Sequence, residues 1–241
     1  MTNLIVLLAF LFNPFFNESS TNNIKIYSSK AINLKTGKFI YSETHEEKFI
    51  GDKIVKSVTR YKDSKNNILS ERVMKFAADL SKPEFELKDF RSGYIEGSEV
   101  LKDNKVKVYT RKKFDSKIEE KILEIKEPFV IDGGLTYFFR ENWERLLNNE
   151  IVEFIFLAPS KLDYYRFRVS KNNIIVVGNK KGMQLKPEVN SFILRAFVDP
   201  IFITYALDNK EILFYKGISN INDEEGKSYL VEIDFTKGEL E

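Results

Sequence analysis

Residues 53–61 read KIVKSVTRY, and residues 68–76 read ILSERVMKF. In each segment apolar and polar side chains largely alternate, which is the pattern of a strand with one buried face. The intervening Lys65-Asn66-Asn67 predicts a tight turn, because Asn tolerates the left-handed conformation that such turns need. The two segments therefore predict an antiparallel hairpin, in a sheet that has one charged, solvated face.

Similar short segments recur along the rest of the chain and predict further strands. They lie at residues 105–109, 118–125, 151–157, 164–169, 174–177, 201–207, 211–215 and 228–235. Lys171-Asn172-Asn173 is expected to form a second hairpin turn between two of these strands. Residues 215–223 contain Gly217 and two Asn, and they predict an exposed loop of the kind that often carries function.

Two segments instead carry apolar residues at helical spacing. The first follows Asp132-Gly133-Gly134 and contains Leu135, Phe138, Phe139, Trp143, Leu146 and Leu147. The second follows Pro187 and contains Val189, Phe192, Ile193, Ala196 and Phe197. The predicted fold class is mainly β, a β-rich α+β fold. We expect a curved antiparallel meander sheet or partly closed barrel with two packed helices.

The N-terminus predicts export. Residues 4–12 are an uninterrupted apolar run, which is long enough for the core of a signal peptide and too short for a membrane span. We expect residues 1–20 to be a signal peptide, cleaved between Asn17 and Asn23, and residues 21–241 to form a single antiparallel β-rich domain. An uncleaved anchor or a buried strand is the alternative. The predicted location is periplasmic or secreted, and the protein is not expected to be an integral membrane protein.

Composition excludes several classes of function. The chain has 38 Lys and Arg against 36 Asp and Glu, so its net charge of +2 gives no field that would attract nucleic acid. It contains no Cys, which excludes disulfides, thiolate metal sites and a cysteine nucleophile. Its hydrophobic content of 43% is high enough to form a full core, so the body of the chain is expected to be folded.

The motifs of common catalytic and metal sites do not assemble in this sequence. His45 is the only histidine, and no G-x-S-x-G elbow accompanies it. Neighbouring residues on a strand point to opposite faces, so the segment Thr44 to Glu47 does not predict a metal site. We expect it to lie on a solvated strand face instead. Adjacent carboxylates such as Glu119 and Glu120 are also expected to be solvated. Neither a metal nor a cofactor is predicted.

The best candidate site lies in the C-terminal half, where arginines interrupt the most apolar segments. The predicted ligand-binding residues are Arg140, Trp143, Arg166, Arg168 and Arg195. A guanidinium among apolar residues can bind a carboxylate or phosphate through paired hydrogen bonds. The alternative is that these arginines, together with Arg145, form internal ion pairs with Glu153, Asp199 or Asp234, or are simply exposed to solvent. Trp143 itself is expected to pack, largely buried, between the first helix and the sheet.

The C-terminal half also resembles a group of bacterial exported proteins of unknown function. The resemblance rests on Phe138-Phe139-Arg140, Asn142-Trp143, Leu146, Val152-x-Phe154-x-Phe156, Pro159, Phe167-Arg168, Pro200-Ile201 and Tyr215-x-Gly217-x-Ser219-Asn220-Ile221. It implies an exported protein, in agreement with the N-terminus, and it implies no reaction and no catalytic residue.

Three hypotheses for function remain. The first is a non-catalytic binding module of the cell envelope that holds a lipid or other amphiphile between a curved sheet and helices. The second is a structural or assembly partner of another envelope protein, which would pair with an exposed sheet edge. The third is a carboxylate-based hydrolase, which only the abundance of Asp and Glu supports.

Overall fold

The computed structural model describes residues 22–191 and 199–237. The strands in these residues are β1 (Asn22–Asn33), β2 (Phe39–Ile50), β3 (Lys53–Lys62), β4 (Ile68–Lys75), β5 (Glu84–Asp89), β6 (Ile95–Val100), β7 (Lys105–Arg111), β8 (Glu119–Glu124), β9 (Phe129–Val130), β10 (Val152–Ala158), β11 (Asp163–Val177), β12 (Lys180–Val189), β13 (Phe202–Ala206), β14 (Ile212–Asn222) and β15 (Ser228–Asp234). Between β9 and β10 lie the helices α1 (Gly134–Glu141) and α2 (Trp143–Leu147). Short 3-10 turns follow β10 (Pro159–Lys161) and β15 (Phe235–Lys237).

The described strands form one meandering sheet in the order β8-β7-β6-β5-β4-β3-β2-β1-β15-β14-β13-β12-β11-β10-β9. Its two halves are joined by the antiparallel pairing of β1 with β15, for example Ala31 opposite Ile233. Neighbouring strands pair antiparallel except for β9, which runs parallel to β10. The expectation of a mainly β fold built on an antiparallel meander is therefore confirmed.

The sheet is strongly curled, which brings its two ends towards each other. The 3-10 turn after β10 contacts β6 and β7, which lie at the other end of the strand order. Across this seam the backbone N–H of Ser160 donates a hydrogen bond of 3.1 Å to the carboxylate of Glu96. The sheet thus remains open in its pairing but forms a concave interior, as in a partly closed barrel.

The helices pack against the C-terminal half of the sheet. Phe139, Trp143 and Leu146 are buried with Phe154 of β10 and Tyr205 of β13 in one apolar cluster. Trp143 is 4% exposed and meets the Tyr205 ring edge-on at 6.5 Å, which confirms the predicted burial between helix and sheet. No helix in residues 22–191 or 199–237 is long and apolar enough to cross a membrane.

The two predicted helices differ from the observed ones. The first predicted helix breaks at Asn142, because Asn competes for backbone hydrogen bonds inside a helix. The side-chain amide of Asn142 donates a hydrogen bond of 2.9 Å to the Phe138 carbonyl. The predicted helix therefore forms both α1 and α2. The second was expected to follow Pro187, but β12 continues to Val189 instead, where Val189 pairs with Phe167 of β11. Phe192, Ile193, Ala196 and Phe197 lie outside the described residues.

One predicted turn and one predicted loop are wrong. Lys171-Asn172-Asn173 lies inside β11, where a register shift between Lys171 and Asn173 accommodates an extra residue while pairing with β12 continues on both sides. The turn instead follows at Gly178, whose φ of +60° suits glycine. Most of residues 215–223 form strand β14 rather than a loop. Gly217 pairs with Val231, and a Cβ there would lie 2.9 Å from the Tyr215 hydroxyl, so close packing explains this glycine.

Candidate functional site

The concave face of the sheet lines a cavity of about 1380 Å³. In the C-terminal half an aromatic surface lines it, formed by Phe154, Phe156 and Phe167 with Ile203 and with Leu135 of α1 beside them. In the N-terminal half apolar side chains such as Phe85 also line it, together with the polar and charged side chains described below. The interior is therefore two-sided, with an aromatic surface facing a hydrogen-bonded polar surface.

The polar wall is built from one transverse row of residues on neighbouring strands. Tyr27 of β1 is opposite His45 of β2, His45 is opposite Thr59 of β3, and Thr59 is opposite Arg72 of β4. Directly opposed residues point to the same face of a sheet, so the register alone brings these four side chains together. The row continues through Leu87 to Glu96 of β6.

His45 is buried, not solvated as the sequence suggested. It is 5% exposed, its ring stacks on Tyr27 at 4.6 Å, and its Nε2 lies 3.0 Å from the Glu43 carboxylate. The expectation is wrong because curling turns this face of β2 inward, and the charged alternation gave no apolar face to mark it. Ser29 also donates a hydrogen bond of 3.1 Å to Glu43, which is itself only 3% exposed.

These contacts form a chain of hydrogen bonds from Arg72 to Glu43. Arg72 Nη2 donates a hydrogen bond of 3.2 Å to the Thr59 hydroxyl, and that hydroxyl lies 3.1 Å from His45 Nδ1. Burial by itself would raise the pKa of Glu43, but the hydrogen bond and charge of His45, followed by Arg72, hold that pKa below its ordinary value. Glu43 is therefore an ionised hydrogen-bond acceptor. The Nε2 atom of His45 carries the hydrogen that is donated to Glu43.

Arg72 also pairs with Asp132, which precedes α1. Arg72 Nη1 donates a hydrogen bond of 3.2 Å to the Asp132 carboxylate, and the Arg72 and Asp132 side chains are 12% and 19% exposed. Burial raises the pKa of Asp132, although Arg72 opposes that shift. Asp132 has a φ of +39°, a conformation that costs backbone free energy for a residue with a Cβ. The pair fixes the entrance of α1 onto the polar wall.

Two donors on this wall have no protein partner among the described residues. Arg72 Nε and the Tyr41 hydroxyl are both buried, and neither forms a hydrogen bond with a group in residues 22–191 or 199–237. Tyr41 is 1% exposed and lies two positions before Glu43, on the same face of β2. Both side chains line the cavity. A buried donor without an acceptor is uncommon in folded proteins, so these two atoms mark a place where a ligand could supply one.

Glu96 lines the cavity next to the seam. Burial, with a smaller contribution from the charge of Asp132, raises the pKa of Glu96 to about 7, although hydrogen bonds from Tyr94 and Ser160 act in the opposite direction. Its protonation state therefore changes near neutral pH. Among the described residues, no group of three or more His, Asp or Glu side chains is arranged to hold a metal ion.

The four predicted binding residues that the structure describes are not brought together in one site, and the role of all five in binding stays a prediction. Arg140 lines the cavity, with its guanidinium over the Tyr137 ring at 5.4 Å and its Nε donating 3.1 Å to the Lys210 carbonyl. Trp143 lies in the apolar cluster behind the cavity wall, with the Lys210 ammonium 5.3 Å from its ring centre.

Arg166 and Arg168 lie elsewhere on the sheet. Arg166 is exposed and forms a paired hydrogen bond with Glu127, and Arg168 donates 3.3 Å to Glu188. These are internal ion pairs, as the alternative interpretation expected, but with other carboxylates. Arg195 lies outside the described residues.

Sequence reasoning missed the polar wall for a definable reason. Tyr41, Glu43 and His45 recur at every second position, which places them on one face of β2, and Thr59 and Tyr61 do the same on β3. This periodicity was the available signal, yet both faces of β2 carry charges and neither could be assigned to the interior. Of the adjacent carboxylates, Glu119 and Glu120 are exposed as expected, whereas Glu46 and Glu47 are only partly exposed and Glu47 lines the cavity.

Comparisons with known proteins identify the fold. No protein-family model matches the sequence, and no curated protein matches it. The structure is similar to a β-barrel-like protein of domain of unknown function DUF1849 from Brucella abortus, with a TM-score of 0.51, 11% identity, and coverage of 91% of this chain and 95% of that chain. This likeness shows the fold, and that neighbour's unknown function agrees with the resemblance noted in the sequence.

A second solved structure, a "putative outer membrane lipoprotein-sorting protein domain" from Vibrio parahaemolyticus, aligns with a TM-score of 0.31 and 7% identity over 93% of this chain and 87% of that chain. A TM-score this low does not establish a shared fold.

Proposed function

We propose that this protein is a non-catalytic binding module for a lipid or other amphiphile, which it holds inside the curled sheet. The observation that carries the proposal is the two-sided cavity, in which aromatic and aliphatic side chains face a polar wall. Pockets for drug-sized ligands occupy roughly 300–1,000 Å³, so a cavity of about 1380 Å³ has room for a larger molecule. An amphiphile is the chemical class that matches both walls at once.

The apolar wall would supply most of the binding free energy. Phe154 and Phe167 stack at 5.9 Å, and Phe156 meets Phe167 edge-on at 5.7 Å, so three aromatic rings form a continuous surface. Transfer of an acyl chain onto such a surface is favourable by about 0.8 kcal/mol for each buried CH₂ group. The polar wall would orient the other end of the ligand.

Export to the cell envelope is part of the same proposal. Its support is the apolar run at residues 4–12, which has the length of a signal-peptide core. The test is a fusion of residues 1–30 to a reporter that is active only after export. A fusion that stays inactive, beside an active fusion to an established signal peptide, would contradict the proposed location.

Binding is tested with a fluorescent apolar probe and two tryptophan variants. Leu135 lines the cavity, so Leu135→Trp should fill part of it and weaken binding of N-phenyl-1-naphthylamine. Val176 is 66% exposed, so Val176→Trp is the matched control and should bind the probe as the wild type does. A wild-type protein that binds no probe and releases no lipid in native mass spectrometry would refute the proposal.

A second candidate function is a carboxylate-based hydrolase. The observation that favours it is that Glu96 and Asp132 interact electrostatically in one cavity, with a Glu96 pKa of about 7 that suits proton transfer. The test is ester hydrolysis by the wild type and Glu96→Gln. Activity that survives the substitution unchanged would remove this candidate.

A third candidate is an assembly partner, favoured by the exposed edge strand β8. Ile122 in β8 is 60% exposed, and Ile118 just before it is 54% exposed. Cross-linking in intact cells, with and without Ile122→Lys, tests the idea. Recovery of the monomer alone would count against it.

A further inference from the structure

We infer that the polar end of the ligand is an uncharged hydrogen-bond acceptor, such as the carbonyl of an ester or amide, rather than a carboxylate or phosphate. The inference rests on the proposed function, since it concerns a ligand in the same cavity. Two observations carry it: the unpartnered groups on the polar wall are donors, and the charges around them oppose an anion.

The free hydrogen-bonding capacity on the wall belongs to Arg72 and Tyr41. Arg72 Nη1 and Nη2 already donate to Asp132 and Thr59, which leaves Nε as the donor without a described partner. Burial, and after it the charge of Glu43, raises the pKa of Tyr41 well above its ordinary value, so its hydroxyl keeps its hydrogen and can donate. A ligand oxygen that reaches either group would satisfy a buried donor, which is costly to leave unpaired.

The surrounding charges favour a neutral oxygen over an anionic one. The guanidinium of Arg72 is held against Asp132 at 3.2 Å, and Glu43 shares the wall two residues from Tyr41. A carboxylate placed here would face the carboxylates of Glu43 and Asp132, which already pair with His45 and Arg72. A carbonyl oxygen accepts the same hydrogen bonds without that repulsion.

Two of the other cations that line the cavity, Lys25 and Arg140, already contact other groups of the protein. Lys25 is paired with Glu211 at 2.9 Å, and Arg140 lies over the Tyr137 ring on the α1 side. An anionic head group would therefore be drawn away from Arg72 and Tyr41, towards Arg140. The two head-group classes thus predict different responses to a substitution at Tyr41.

The test compares two ligands that share one acyl chain, 1-monolauroylglycerol and laurate, below their micellar concentrations. At about pH 8 laurate is ionised, and we expect the monoglyceride to displace N-phenyl-1-naphthylamine at least tenfold more strongly. Tyr41→Phe should weaken monoglyceride binding about fivefold, the effect of one hydrogen bond, and leave laurate binding unchanged. Tyr165, which is 39% exposed and does not line the cavity, provides the control Tyr165→Phe.

The outcomes separate this inference from the proposed function. Stronger binding of laurate than of the monoglyceride would overturn the inference while leaving a lipid-binding cavity in place. Unchanged monoglyceride binding in Tyr41→Phe would also overturn the inference, because the Tyr41 hydroxyl would then donate no hydrogen bond to the ligand. Failure of both ligands and of the probe to bind the folded wild type would instead refute the proposed function.

Discussion

Replacing Glu96 by Gln should stabilise the protein at neutral and alkaline pH but not in acid. Glu96 has a pKa of about 7 in the folded protein against an ordinary value of 4.5. Between these two values the folded state holds a proton that the unfolded state has lost. Stability contributed by this group therefore falls as pH rises from 4.5 to about 7, and the full penalty is present above that range.

The difference between about 7 and 4.5 is about 2.5 pKa units, which corresponds to at most about 3 kcal/mol. Because the side chain is partly exposed, solvent screening lowers this limit, and we expect Glu96→Gln to gain about 1–2 kcal/mol above pH 7. The amide oxygen of Gln can still accept the hydrogen bond from Ser160.

Urea unfolding at about pH 4.5, 6, 7.5 and 8.5 measures the effect as a gap between the two proteins that widens with pH. Glu99 lies on the same strand, is 47% exposed and pairs with Lys107, so Glu99→Gln is the matched control. Wild-type and Glu96→Gln stabilities that stay parallel over the whole range would show that Glu96 ionises normally, and the account of its burial would be wrong.

Three further substitutions test the core and the ion pairs. Trp143→Ala should lower the free energy of unfolding by about 3–5 kcal/mol, and Trp143→Phe should lower it by much less. A melting temperature of the Ala variant near that of the wild type would show that Trp143 is not part of the core. Asp132→Asn should cost about 3 kcal/mol in urea unfolding, because it leaves the Arg72 guanidinium without its countercharge; an unchanged midpoint would contradict the coupling. Arg166→Ala, which removes an exposed contact with Glu127, should leave the melting temperature unchanged, and a clear drop would show that this pair is structural.

Secondary structure was predictable where the pattern was local. The hairpin of residues 53–61 and 68–76 matches β3 and β4, and residues 105–109 lie within β7. Alternation reports which side of a strand each residue occupies, and that property depends only on near neighbours in sequence. The bulge at Lys171 to Asn173 was not predictable in the same way, because pairing with β12 decided between a turn and a bulge.

The candidate site depended on contacts between residues distant in sequence. Arg72 and Asp132 are 60 positions apart, and the Ser160 to Glu96 contact joins positions 64 apart. The apolar segments around Trp143 did locate the helix-and-sheet core, since large apolar side chains identify burial wherever they occur. They could not identify the polar wall, whose members look like ordinary surface residues until the sheet curls.

The sequence by itself determined that the chain forms antiparallel strands with a helix packed on the C-terminal half, because periodicity and apolar content act through local geometry and burial. It did not determine which charged face would become the interior. Only the tertiary structure decided that, since the curl of the whole sheet turns Glu43, His45 and Arg72 inward, and strand register aligns His45 with Arg72 through Thr59. Register and curvature are collective properties of many paired strands, so no single segment encodes them.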